Sequence, residues 1–431
     1  MKLARFAAIL AAATLTAAPA LAELEMPSLV YRTGPYAPNG IPFANGYADY
    51  MTMLNERDGG VGGVKIKLTE CETAYNTKQG VECYENTKGN GSLVYQPLST
   101  GITYQLIPKA TEDQIPIHSM LYGRTSAANG KLFPYVFNFP GTYWDAASIL
   151  VKHAGDMEGG MDNLQGKKIA LVYHNSAYGK EPIRTLEKLA EKHGYTLILL
   201  PVDHPGQEQK ATWLQVRRER PDFVFMWGWG VMNQVAIKEA ASIRFPMERF
   251  IGTWWSGSEA DVLPAEGDAQ GYKTISVHGA SNDLPVHDDI RTHVYDKGLG
   301  GGERERIGEM GYNRGMVAAM WATEAIRNAQ SIHNTKELTG AQMRDGYESL
   351  KVDNARYKEL GMEGLTVEVA VSCENHGGPG KGAIFQWDAS AKQWNQITEY
   401  MEADREVVDA LIEEDSAAYA AENNITPRSC D

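Results

Sequence analysis

From Lys167 onward the chain repeats one pattern: a short apolar run, a loop, a charged segment with helical spacing, and another apolar run. Residues 168–173 are apolar, 181–193 form an amphipathic segment stopped by Gly194, and 195–202 are apolar again, which predicts a βαβ unit. The alternation continues through a helix over 207–220, a strand over 222–226, a helix over 232–245 and a strand over 249–252. Because a strand, crossover helix and parallel strand cover a sheet with helices on both faces, this region predicts a doubly wound parallel sheet.

The first part of the chain repeats the theme, with a strand over 29–33, a helix over 43–57 and a strand over 64–68, continued by 73–88, 92–96, 101–109 and 115–120. The predicted fold class is therefore α/β, with two doubly wound parallel-sheet lobes. After Gly279, helices are expected over 312–329 and 341–350, strands over 364–371, 382–387 and 394–397, a loop over 375–382 and an acidic helix over 402–421. Ligands of such sheets sit at the carboxyl ends of the strands, where loops meet helix N-termini. Two lobes can set those edges face to face across a cleft.

Lys2 and Arg5 precede an apolar run over 6–18, and Ala20-Leu21-Ala22 is a small-x-small cleavage signal. Residues 1–22 are thus expected to be a secretory signal peptide, placing the rest of the chain in the periplasm. The net charge of -14 and the absence of a basic run with interleaved aromatics argue against nucleic-acid binding. Cys71, Cys83, Cys373 and Cys430 all follow the signal segment, and an even number in an oxidising compartment favours disulfides. Pairing Cys71 with Cys83 closes a short loop and leaves Cys373 for Cys430. No CxxC or HxxxH accompanies them, so neither a metal nor another cofactor is expected.

No catalytic signature survives inspection, and no enzyme is expected. The segment Gly252-Thr-Trp-Trp-Ser-Gly-Ser lacks GxSxG order, and His376-Gly377-Gly378 has no nucleophile to serve. The glycines over 377–382 lack the GxxxxGK[ST] spacing and the helix of a phosphate loop, so they read as a hinge or surface turn. Aromatic residues say more. Tyr143 and Trp144, Trp227 and Trp229, and Trp254 and Trp255 lie at predicted strand-to-helix transitions. Core packing accounts for any one of them, but their joint position on the ligand-binding edge points to a stacking pocket.

The segments Tyr31-Arg-Thr-Gly-Pro, Gly80 to Cys83, Tyr173-His-Asn-Ser-Ala-Tyr-Gly, Asp222-Phe-Val-Phe and Ala383-Ile-Phe-Gln-Trp occur in order over nearly the whole chain. In this the sequence resembles the type I periplasmic binding proteins of branched-chain amino acid ABC transporters. The resemblance implies two α/β lobes joined by a three-crossover hinge and closing on a small ligand. Crossovers are placed near Phe139, Ser276 and Ser372, giving an N-terminal lobe of 23–139 and 277–372 and a C-terminal lobe of 140–276 and 373–431. It also implies delivery of the solute to an ABC permease and ATPase in the inner membrane. A ligand-sensing receptor domain and a hydrolase on a two-lobed α/β scaffold are the rival expectations.

Carried over by the resemblance, one ligand loop falls on Gln96 to Gly101, with Ser99 and Thr100 donating to an anion, and a second on Tyr122, Gly123, Arg124 and Thr125. Tyr178, Trp229 and Tyr312 take pocket aromatic positions, joined by Tyr143, Trp144 and Trp254. Trp254 stands where amino-acid binders of this family place an acid for the ligand's α-ammonium. Glu259 substitutes only if its loop folds back. With Arg124 near an aromatic wall, the expected ligand is a carboxylate, an aromatic acid or an amino acid.

Overall fold

The computed structural model describes residues 23–430; the predicted signal segment 1–22 lies outside the described residues. The chain opens with β1 (Leu24–Val30), α1 (Ala37–Arg57), β2 (Ile66–Glu72), α2 (Thr77–Thr87), α3 (Thr100–Asp113), β3 (Ile117–His118) and β4 (Val136–Phe137). It continues through α4 (Tyr143–Met157), β5 (Lys168–His174), α5 (Ala177–Lys180), α6 (Ile183–His193), β6 (Thr196–Val202), α7 (Lys210–Glu219), β7 (Phe223–Trp227) and α8 (Val231–Ser242). Next come β8 (Phe250–Gly252), α9 (Glu259–Val262), β9 (Lys273–Ser276), α10 (Pro285–Ile290), α11 (Met310–His333) and α12 (Gly340–Glu348). The last part holds β10 (Lys351–Val352), α13 (Asn354–Glu359), β11 (Val369–Ala370), β12 (Lys381–Asp388), β13 (Gln393–Gln396), β14 (Met401–Glu402) and α14 (Arg405–Asn423).

Two α/β lobes result. In the first, β1 pairs in parallel with β2, Ser28 bridges to Gln96, Tyr95 bridges to Ile117, and β3 pairs in parallel with β4. The second lobe has an eight-stranded sheet in the order β13-β12-β9-β8-β7-β5-β6, with β14 on β12. Its strands from β5 to β9 are parallel, whereas β12 returns antiparallel to β9. The central strand β7 is wholly buried, as its unbroken run Phe-Val-Phe-Met-Trp requires of a strand covered on both faces. The strand expected over 364–371 is reduced to β11, because its partner β10 is itself two residues long.

The first lobe is built around α1 and α11. A Cβ on Gly46 would lie 2.0 Å from the Tyr312 carbonyl oxygen, and one on Gly315 would lie 2.0 Å from that of Phe43. Glycine at both positions lets the two backbones touch, and this fixes the direction in which α11 presents its side chains. Both expected disulfides are formed, Cys71 to Cys83 and Cys373 to Cys430, with Cα separations of 5.8 and 5.7 Å.

Candidate ligand-binding site between the lobes

The carboxyl edges of the two sheets meet and carry aromatic side chains from both sides. Tyr31 follows β1 and Tyr75 follows β2, with their rings 5.1 Å apart edge to face. Ala74 and Tyr75 both have positive φ, 46° and 60°, a conformation that non-glycine residues rarely adopt. The neighbouring Thr73 N–H to Val30 oxygen bond and the Asn76 cap of α2 hold that turn. From the opposite lobe, Trp229 approaches Tyr31 at 6.1 Å and Trp255 stacks on Tyr122 at 4.3 Å. Trp229 and Trp255 pack edge to face at 5.3 Å, completing one wall across the lobe boundary.

The structure brings some of the expected residues into this wall and sends others elsewhere. Trp229 and Tyr122 belong to it, and Trp229 Nε1 is buried with no hydrogen-bond partner. Trp254 lies behind it, stacked on Tyr143 at 5.8 Å, and donates its indole N–H to the Leu121 carbonyl across the boundary at 3.1 Å. Tyr143 also lies 5.3 Å from Tyr178, whose hydroxyl donates to the Gly228 carbonyl at 2.9 Å. Ser99 caps α3 by accepting from Ile102 N–H, and Thr100 Oγ1 accepts from Gly123 N–H at 3.3 Å.

Three residues point away from the wall. Tyr312 donates to Asp49 at 2.8 Å within the α1–α11 pair. Trp144 gives its indole N–H to the Glu181 carbonyl at 2.8 Å. Arg124 is held by Asp415 of α14 at 2.6 Å and lies 4.7 Å over the Tyr419 ring, so its charge is matched outside the aromatic wall.

A different guanidinium occupies the wall. Arg314, one turn into α11, is 2% exposed and lies 4.8 Å over the Trp255 ring. Its Nε donates to His278 Nε2 at 3.1 Å, while its Nη2 has no partner. Burial pushes Arg314 down to about 10 and, together with Arg314, pushes His278 down to about 3. The imidazole is therefore neutral, with Nδ1 facing the Gly279 carbonyl at 3.1 Å. Arg314 stands on the apolar stripe shared with Ala318 and Trp321, and a lone basic residue on such a stripe is a signal that sequence reasoning missed.

Arg314, Trp229, Trp255, Asn39, Glu259 and Glu309 line a narrow cavity of about 10 Å³, about the space of one water molecule, so a solute enters it only when the lobes part. The loop carrying Glu259 does fold back. Glu259 accepts from the Met310 N–H at 3.0 Å, capping α11, and burial followed by the nearby Glu309 pushes its carboxyl up to about 8. A wider groove of about 460 Å³ runs between α14 and the 374–378 loop. Within it Arg405 pairs with Asp145 at 2.5 Å and with Asp409 at 3.4 Å, and it touches none of the aromatic wall.

Several contacts hold the lobes together around the cavity. Glu181 accepts from Thr125 Oγ1 at 2.8 Å and from the Tyr104 hydroxyl. Asn39 donates to Asp261 and Ser258 at 3.1 and 3.0 Å. The Tyr36 hydroxyl lies 2.8 Å from His174 Nε2 and also contacts His204 Nδ1; burial first, and His204 second, push His174 down to about 4.

The arrangement has counterparts among known proteins. A solved structure from the Pseudomonas fluorescens group, described as an ABC transporter permease, is 40% identical, with 95% of this chain and 99% of that chain covered and a TM-score of 0.87. A branched-chain amino acid ABC transporter from Thermus thermophilus, solved with bound valine, is 21% identical over 90% and 98% of the two chains, with a TM-score of 0.75. The Leu/Ile/Val-binding protein BraC3 of Rhizobium johnstonii is 24% identical over 50% of this chain and 58% of its own length, so this chain spans little more than half of that curated relative. The periplasmic binding protein family model matches residues 23–393. With that match over most of its length, this chain belongs to the periplasmic binding protein family.

Proposed function

We propose that the chain is the extracytoplasmic solute-binding component of an ABC importer of the branched-chain amino acid type. In this reading it holds a small carboxylate-bearing or amino-acid-like solute between its lobes in the periplasm, without turnover. It then presents the closed form to a permease and its ATPase. The observation that carries the reading is the wall made by Tyr31 and Tyr122 of one lobe with Trp229 and Trp255 of the other, beside a cavity holding unpartnered polar groups. Such a wall covers a ligand body while its polar edges orient it. Valine in the Thermus thermophilus relative supports a solute of this size.

The hinge is assigned near Phe139, Ser276 and Ser372, which is supported by β9 ending at Ser276 and β12 re-entering the same sheet at Lys381. The pocket assignment retains Tyr122 and Trp229 and adds Tyr31, Trp255 and Arg314. Ser99, Thr100, Gly123, Tyr143, Tyr178 and Trp254 support the wall from behind.

A thermal-shift and tryptophan-fluorescence screen over amino acids, carboxylic acids and their amides tests the proposal. A solute at 100 times its Kd adds about 2.7 kcal/mol to the folded state. Finding no solute that moves either signal would count against it.

A further inference from the structure

Arg314 is a fully buried cation without an ion pair: Asp261 and Glu259 act on its charge only from a distance. Among the described residues, no acidic side chain lies within ion-pair distance of its guanidinium, and the partner of its Nε is an imidazole already shown to be neutral. Burying a guanidinium without a counter-charge is costly, and proteins seldom keep one unless something compensates it. Its unpartnered Nη2 belongs to the lining of a cavity with room for only about one water, which points to a partner taken up when the lobes part. A guanidinium edge presents parallel N–H groups, which match the two oxygens of a carboxylate. Its face is already taken by Trp255, so the fork cannot turn away into a second packing role.

We propose that Arg314 is the anion anchor of the cleft, a ligand-binding residue that takes the carboxylate of the solute while Trp229 and Trp255 cover its body. The assignment rests on the solute-binding reading above and adds the residue and the charged group it selects. His278, directly after the second crossover, fixes Nε and so sets where the free edge of the fork faces. The carboxylate belongs either to a simple acid or to an α-amino acid, and the two sources are separated by the choice of probe.

The test measures binding of benzoate, isovalerate and L-leucine, with benzamide and isovaleramide as neutral counterparts, by calorimetry and thermal shift. At least one acid is expected to bind and its amide to bind far more weakly. Arg314→Gln is expected to raise the Kd of the bound acid on the order of 100-fold, and Arg314→Lys, which keeps the charge without the fork, to fall between Gln and the parent. Arg314→Met is expected to melt at or above the parent without ligand, because it removes an uncompensated buried charge. Amides binding as well as acids, or an Arg314→Gln variant that keeps parental affinity, would overturn the assignment while leaving solute binding intact. A lowered melting temperature for Arg314→Met with unchanged acid affinity in Arg314→Lys would make Arg314 a packing residue. Neither acids nor amides moving the parent's melting temperature would overturn both readings.

Discussion

Glu181, on the second lobe, accepts a 2.8 Å hydrogen bond from Thr125 Oγ1 on the first. Burial holds the Glu181 carboxyl above the usual carboxylate range, against the opposing pull of Tyr104, Thr125 and the charge of Arg124. The sign of the pH effect follows. A carboxyl whose pKa is higher in the closed form binds a proton more tightly there, so its contribution to closure is complete below the open-form pKa and is lost as pH rises through the closed-form value. Small-angle scattering between mildly acidic and neutral pH is expected to show the ligand-free protein more closed at the acidic end. Glu181→Gln is expected to flatten that dependence; a variant with the parental profile would move the effect to another group.

Trp229 and Trp254 are expected to behave differently when truncated. Trp229 lines the cavity with its indole N–H unpartnered, so Trp229→Ala is expected to weaken solute binding by ~1–3 kcal/mol and to remove most of the ligand-induced fluorescence change. Trp254 uses its N–H on Leu121 across the lobe boundary. Trp254→Phe is therefore expected to act mainly on closure, visible in the compactness of the ligand-free protein.

The two disulfides are expected to differ in their contribution to stability. Their sequence separations are 12 for Cys71–Cys83 and 57 for Cys373–Cys430. The loop-entropy relation assigns about 3 and about 4 kcal/mol to loops of these lengths. Denaturant melts of the paired serine variants check the order, and titration of the unfolded, unreduced parent is expected to find no reactive thiol.

Glu259 is expected to separate the two kinds of carboxylate. Glu259→Gln removes one of the two acids, with Glu309, that line the same cavity as Arg314. A bound α-ammonium would pair with the ionised Glu259 and lose that partner in the variant, whereas a simple acid would not, so affinity for L-leucine relative to isovalerate is expected to fall tenfold or more. Calorimetry of the two probes on parent and variant reads this ratio directly.

The fold was legible because hydrophobic period and loop punctuation recur: Gly194 closes α6 in a left-handed turn where the pattern stops. Arg124 and Arg314 show what was not legible. Arg124 sits in a loop matched by resemblance, but Asp415, 291 residues away in sequence, neutralises it. Arg314 sits inside a helix that periodicity places in the core, and nothing local tells that its stripe ends at the cleft. Trp254 and Trp255 are adjacent, and which of the two faces the cavity depends on a single 3₁₀ turn over Trp254–Ser256. Residue type reports the chemistry on offer, whereas direction is set by partners far along the chain.

The last helix changes what hinge motion can be. α14 leaves β14 in the second lobe, where Lys192 holds Asp404 at 2.8 Å and Arg184 holds Glu414 at 2.5 Å. It then crosses to the first lobe, stacking Tyr419 on Phe133 at 4.8 Å and accepting at Ser416 Oγ from Asn129 Nδ2 at 3.0 Å, before Cys430 ties its end to Cys373. Three crossovers alone would let the lobes swing and twist with considerable freedom. With α14 held by both, opening is expected to pivot beside that helix and to slide the Tyr419 and Arg124 contacts, while the salt bridges on its other side persist.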